Sequence, residues 1–145
     1  MRVLIFGLSG SGKTTLAKEL AYHFLMPHYN ADTIRELYND WDFSEPARYR
    51  SAHRMSKFEF GILDFICPLE KLRELIDPTF SIWMDTVSKC KYDDTNKMFE
   101  KPNNFNIKIT KQEEINSIII RMKDYIHGIK GIKSFLLDIE KSEVL

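Results

Sequence analysis

The chain has 145 residues, 43% of them hydrophobic and 29% charged, a balance that fits one soluble domain with its own core and excludes a disordered chain. Its 21 basic side chains are matched by 21 acidic ones, so no global basic field exists to gather nucleic acid. No run approaches about 18 apolar residues and no leader pattern opens the chain, which points to the cytoplasm and to no membrane partner.

In chain order, residues 2–6 are apolar without alternation, as a parallel strand covered on both faces requires. Gly7-Leu8-Ser9-Gly10-Ser11-Gly12-Lys13-Thr14 follows directly and leads into a helix over 13–25, whose Leu16, Leu20 and Phe24 share a face with Ala17 and Ala21. Glycines at this spacing let the backbone wrap a polyphosphate closely. The helix N-terminus and the Lys13 ammonium then face the same anion, and the Thr14 hydroxyl is placed for Mg²⁺. This is a phosphate-binding loop, and Gly7, Ser9, Gly10, Ser11, Gly12, Lys13, Thr14 and Thr15 are its candidate ATP contacts.

Pro27 ends the helix, and His28-Tyr29-Asn30 has room for a short strand. Asp32 then sits where a helix cap belongs, ahead of Thr33-Ile34-Arg35, and also where a general base or magnesium partner would face the phosphates. Arg35, one turn on, suits an acceptor phosphate or sulfate, or is simply solvated. A loop with Trp41 and Phe43 precedes Ser44 and Pro46, which announce a helix to about residue 57 with Arg48, Ser51, Ala52 and Met55 on one face. Residues 60–66 form the next strand, and Asp64 near its end fits a second magnesium-site acid or an acid paired at a strand edge.

Pro68 opens a helix to Ile76 with Leu69, Leu72, Leu75 and Ile76 inward, and 79–84 is a fourth strand. From 85 to 102 the periodicity fails and lysines and aspartates crowd a lid-like flap. Asn96-Lys97 begins a guanine-reading pattern that Phe99 breaks. A fifth strand at 106–109 is followed by a helix over 111–127, with Ile115, Ile118, Ile119, Met122 and Ile126 in register. Gly128 and Gly131 should break it, leaving 128–145 as a C-terminal extension with one further short element at 134–139. His23 and His127 suit a helix surface or end, His53 a surface, and none has metal-ligand spacing. Cys67 and Cys90 lack the spacing of a zinc site and read as reduced thiols.

Strands alternating with helices predict an α/β fold. It is a P-loop NTPase-type three-layer sandwich, a five-stranded parallel sheet with helices on both faces, in one domain over 1–145. The candidate residues fall at the carboxyl ends of its strands.

Several segments resemble the adenylylsulfate kinases, which use Mg·ATP to phosphorylate a hydroxyl of adenosine 5′-phosphosulfate. The phosphate loop and first helix match that family closely, Asn30-Ala31-Asp32-Thr33-Ile34-Arg35 resembles its DGDxxR, and Phe43-Ser44-Glu45-Pro46-Ala47-Arg48 its FSxxxR. Phe65-Ile66-Cys67-Pro68 stands where the family has FISP, and Met84-Asp85-Thr86 resembles its VDT. Phe99-Glu100-Lys101-Pro102 is similar to its YExP.

The resemblance implies catalytic Lys13 and Asp32, acceptor contacts from Arg35, Phe43, Arg48, Ser51, Ile66 and Cys67, and Mg²⁺ at Thr14 and Asp64. It implies ATP and Mg²⁺ as cofactors and a small nucleotide as substrate, and leaves a homodimer open. The chain departs from the family at Asn30 and Ser51, in a shorter third helix, and in the flap, where 89–97 replaces a basic lid. Polynucleotide 5′-hydroxyl or nucleoside kinases, which also set an Asp and an Arg three residues apart after such a loop, are the alternative. A nucleotide-binding module without turnover is another.

Overall fold

A computed structural model describes residues 1–111 and 113–143, with side chains described through 129. It divides into two compact units, Met1–Gln112 and Glu113–Leu145. The first unit holds β1 (Arg2–Phe6), α1 (Lys13–Phe24), β2 (His28–Asn30), α2 (Ala31–Tyr38), α3 (Glu45–Met55), β3 (Gly61–Asp64), α4 (Glu70–Ile76), β4 (Phe80–Met84), α5 (Asp93–Met98) and β5 (Ile107–Ile109). All five strands run parallel in the order β2-β3-β1-β4-β5, so the loops leaving their carboxyl ends gather on one edge of the sheet.

The uninterrupted apolar run of β1 is explained by its central place between β3 and β4. Val3, Leu4 and Ile5 are fully buried and Phe6 nearly so, each contributing about 1.5–3 kcal/mol of transfer free energy. Leu4 and Phe6 share a cluster with Leu63 and Trp83 of the sheet, Ala52 and Met55 of α3, and Leu72 and Ile76 of α4. Val3 and Ile5 point to the opposite face, where the buried stripe Leu16, Ala17 and Leu20 of α1 lies. Helices therefore cover both faces and the fold is the expected three-layer α/β sandwich.

Two arginines, Arg2 partly buried and Arg73 buried, brace this frame. Arg2 at the start of β1 donates to Ser56 O and Phe58 O, both at 2.9 Å, and to Ile76 O, tying the ends of α3 and α4 to the sheet. Arg73, on the inner face of α4, lies over the rings of Phe6 and Phe99 and donates to Cys67 O, Pro68 O and Glu100 O. The apolar period of α4 gave no sign that an arginine would occupy this interior position.

Four expectations are corrected. The strand expected over 60–66 is shorter, because Phe60 is 52% exposed and the chain turns away after Asp64. The cap of α2 is Asn30, whose Oδ1 accepts from the N–H groups of Asp32 (2.9 Å) and Thr33 (3.2 Å), which leaves Asp32 in the first turn. The flap contains a helical turn, α5, whose buried Thr95 fixes it.

The fourth correction concerns the second unit, where α6 (Ile115–Glu143) runs on through Gly128 and Gly131. An interior glycine costs a helix only about 1 kcal/mol relative to alanine, too little by itself to end a helix. Among the described side chains, Ile118, Ile119 and Met122 are its buried apolar positions. Among the described residues no helix is long and apolar enough to cross a membrane.

Candidate active site

The turn between β1 and α1 has the backbone that close approach to an anion demands. Gly7 lies at φ 153°, and a Cβ there would stand 2.4 Å from Met84 O, so no other residue fits without moving β4. Gly12 caps α1 in the left-handed region without a side-chain hydrogen bond, which leaves the first N–H groups of the helix for a ligand. Ser9 and Gly10 are at least partly open to solvent, as are Thr14 and Thr15, whereas Ser11 is buried with its Oγ unpartnered. Thr86 Oγ1 donates to Ser11 O at 2.8 Å and ties the loop to the end of β4.

Lys13 is 9% exposed and its Nζ donates to Leu8 O at 2.9 Å, within its own loop. Burial pulls the ammonium below its ordinary value, against the opposing pull of Asp64 and Asp32. A charge held this way gains most from a strong anion beside it.

Beside Thr14 stands Asp64, 1% exposed at the end of β3. Its Oδ2 accepts from Thr14 Oγ1 at 2.8 Å, Asn30 Nδ2 at 3.0 Å and His28 Nε2 at 3.1 Å. Burial raises the carboxyl, but the bonds from His28, Asn30 and Thr14 outweigh it and hold the group below its usual range. Its Oδ1, also buried, accepts nothing. An ionised carboxylate with one buried oxygen unspent, next to a threonine hydroxyl, has the hard oxygen donors that Mg²⁺ takes alongside phosphate and water. Among the described residues no cluster of three or more His, Cys, Asp or Glu forms a self-sufficient metal cage.

Asp32, Arg35, Phe43, Arg48, Ser51, Ile66 and Cys67 line one cavity of about 40 Å³. Asp32 and the side chains singled out for the acceptor thus line one cavity, whose lining does not include Lys13, Thr14 or Asp64. Asp32 is exposed at its rim and acts electrostatically on both Lys13 and Arg35. Arg35 and Arg48 are both buried, and their guanidinium carbons lie 4.5 Å and 5.7 Å from the centre of the Phe43 ring.

The two guanidiniums are engaged by the loop between α2 and α3. Arg35 donates to Asp40 O and Asp42 O, and Arg48 to Phe43 O at 3.0 Å. Asp40 in turn bonds Arg50 and Arg54 at 2.8 Å each, which holds this loop against α3.

Cys67 sets the floor of the cavity at φ 46°, a left-handed conformation rare for a non-glycine residue and rarer before proline. Arg73 holds that turn through Cys67 O at 2.9 Å. Burial pushes the Cys67 thiol far above its ordinary range, so it is a neutral wall and not a nucleophile. The flap reaches the cavity through Thr95, whose Oγ1 accepts from Arg48 Nη2 at 2.8 Å, while Asn96 clamps the backbone of Cys90 with two bonds of 2.8 Å.

Sequence reasoning missed His28, Asn30 and Thr95. Strand alternation puts His28 and Asn30 on one face, and Asn30 pairs in register with Asp64, so the pairing of β2 with β3 is the missing knowledge. Thr95 carried no signal, because its partner is 47 residues away.

No protein-family model and no curated protein matches the chain. Among solved structures, it is similar to an APS kinase of Mycobacterium tuberculosis in complex with AMPPNP and APS, with TM-score 0.71 and 20% identity over 87% of this chain and 96% of that one. A shikimate kinase from Aquifex aeolicus gives TM-score 0.62 and 13% identity over 90% and 98%. A gluconokinase from Sinorhizobium meliloti gives 0.59 and 12% over 92% and 95%. The chain has the fold of these P-loop kinases.

Proposed function

We propose that the chain is an Mg·ATP-dependent phosphotransferase of the cytoplasm that moves the γ-phosphoryl of ATP to a hydroxyl of adenosine 5′-phosphosulfate or a related nucleotide. The observation that carries this reading is the lining of a single cavity by Asp32, Arg35, Phe43 and Arg48, with Asp32 within electrostatic reach of Lys13.

The loop amides and the start of α1 bind the polyphosphate, and the Lys13 ammonium leaves Leu8 O to bridge the β and γ phosphates. Thr14 and Asp64 would hold Mg²⁺, which neutralises charge on the phosphates when bound. Asp32, open to solvent at the cavity rim, accepts the proton of the attacking hydroxyl. Arg35 and Arg48 take the acceptor's anionic group, Phe43 stacks on its ring, and Ser51, Ile66 and Cys67 shape the floor. Positioning and charge neutralisation are what phosphoryl transfer chiefly requires.

Steady-state release of ADP, followed with and without adenylylsulfate, tests this reading. The expected result is acceptor-dependent turnover. Arg48→Ala is expected to raise KM for the acceptor about 10- to 100-fold, the worth of one or two hydrogen bonds to a charged group, with ATP affinity unchanged. Equal weakening of ATP and acceptor in that variant would place Arg48 in the frame of the fold and outside the acceptor site.

A further inference from the structure

A carboxylate that serves only to ligate a cation does not need the company Asp64 keeps. Its Oδ2 takes three donors, from α1 and from two alternate residues of β2, while Oδ1 is buried and takes none. Both β2 donors have fixed roles. The amide orientation of Asn30 is set by the two backbone N–H groups that its Oδ1 accepts, which turns Nδ2 toward Asp64. An ionised carboxylate oxygen can only accept, so Nε2 of His28 carries the proton in this contact. The His28 ring is itself largely covered, with a side-chain exposure of 17%, and is held by strand pairing with β3.

We propose that His28 and Asn30 are positioning residues of the cation site: they saturate Oδ2 of Asp64, stop the carboxylate from exchanging its oxygens, and leave Oδ1 for the metal that accompanies ATP. This rests on the nucleotide-binding reading above. Thr14 alone could bond either oxygen of a rotating carboxylate, whereas donors from β2 and α1 together define one orientation. Partners of this kind, one bond removed from a metal, are worth about 10- to 100-fold in metal affinity.

The test measures binding of a fluorescent N-methylanthraniloyl ATP in Mg²⁺ and in EDTA. The parent chain should bind more tightly with Mg²⁺. His28→Leu, which fills the strand position with an apolar side chain and removes the donor, should lose about 10- to 100-fold of that gain and keep its affinity in EDTA. His28→Gln should recover most of it through its amide. Asn30→Ser, which retains a capping oxygen for α2 and withdraws the amide, should lose the gain as His28→Leu does. An unchanged gain in His28→Leu and Asn30→Ser overturns the proposal, as does equal weakening in Mg²⁺ and EDTA. A parent chain without affinity for the nucleotide would sink the functional reading as well, so the two failures are distinct.

Discussion

Lys13→Ala is expected to lower phosphoryl transfer about 10³-fold and to weaken ATP binding about 10- to 100-fold, read by transfer kinetics and by nucleotide titration. Lys13 is 9% exposed, and burial already disfavours its charge. Its hydrogen bond to Leu8 O is a placeholder that a triphosphate outbids, since charge-assisted bonds to phosphate are about twice as strong as neutral ones. Alanine removes this cation without removing a contact on which the helices or sheet depend, so thermal unfolding should stay at the parent temperature. Unchanged ATP affinity in a folded Lys13→Ala protein would contradict the placement of the triphosphate on this loop.

Asp32→Asn should separate binding from chemistry. Asparagine has the same shape and sits equally well in the first turn of α2, which Asn30 and not Asp32 caps. Loss of the charge near the helix N-terminus costs stability about 0.3–1 kcal/mol, a change that leaves the chain folded. ATP should therefore bind as before. The amide cannot accept a proton from the acceptor hydroxyl, and kcat is expected to fall about 10²- to 10⁴-fold. If kcat holds within a few fold, Asp32 is not the base, and the acceptor hydroxyl must be activated elsewhere in the cavity.

The sheet and the phosphate loop were legible because their signals are local. An apolar run too short for a buried helix, followed by Gly7 through Thr14 and an amphipathic stripe, fixes strand, loop and helix within about 25 residues. The side chains assigned to the acceptor came from a different signal, the likeness of three short segments (30–35, 43–48 and 65–68) to one kinase family, and the structure brings those segments around one cavity. Whether their side chains do the work assigned to them is what the variants above decide.

The parts not legible depend on pairings across the chain. That Asn30 is the cap of α2 follows from where β2 stops, and β2 is only three residues long. His28 gains its meaning from register with β3, 34 residues on. Arg73 was hidden by the opposite logic, since its charge at a buried helix position is offset by Glu70 one turn back, at 2.8 Å, together with three backbone carbonyls from the turn at Cys67 and the segment at Glu100. The flap departs most from the resembled family, and its docking through Thr95 to Arg48 could not be seen in a segment without periodicity. The run-on of α6 past Gly128 and Gly131 shows the limit of glycine as a stop signal where no cap chemistry accompanies it.

The most direct measurement is transfer of label from γ-labelled ATP, with Mg²⁺, to a panel of adenylylsulfate, nucleosides, 5′-hydroxyl oligonucleotides and a no-acceptor control. The expected result is a labelled product with adenylylsulfate or a closely related nucleotide, dependent on Lys13 and Asp32. Label on the oligonucleotide or nucleosides alone would contradict the acceptor assignment, and ATP binding without transfer to any member of the panel would contradict the kinase reading in favour of a nucleotide-binding module.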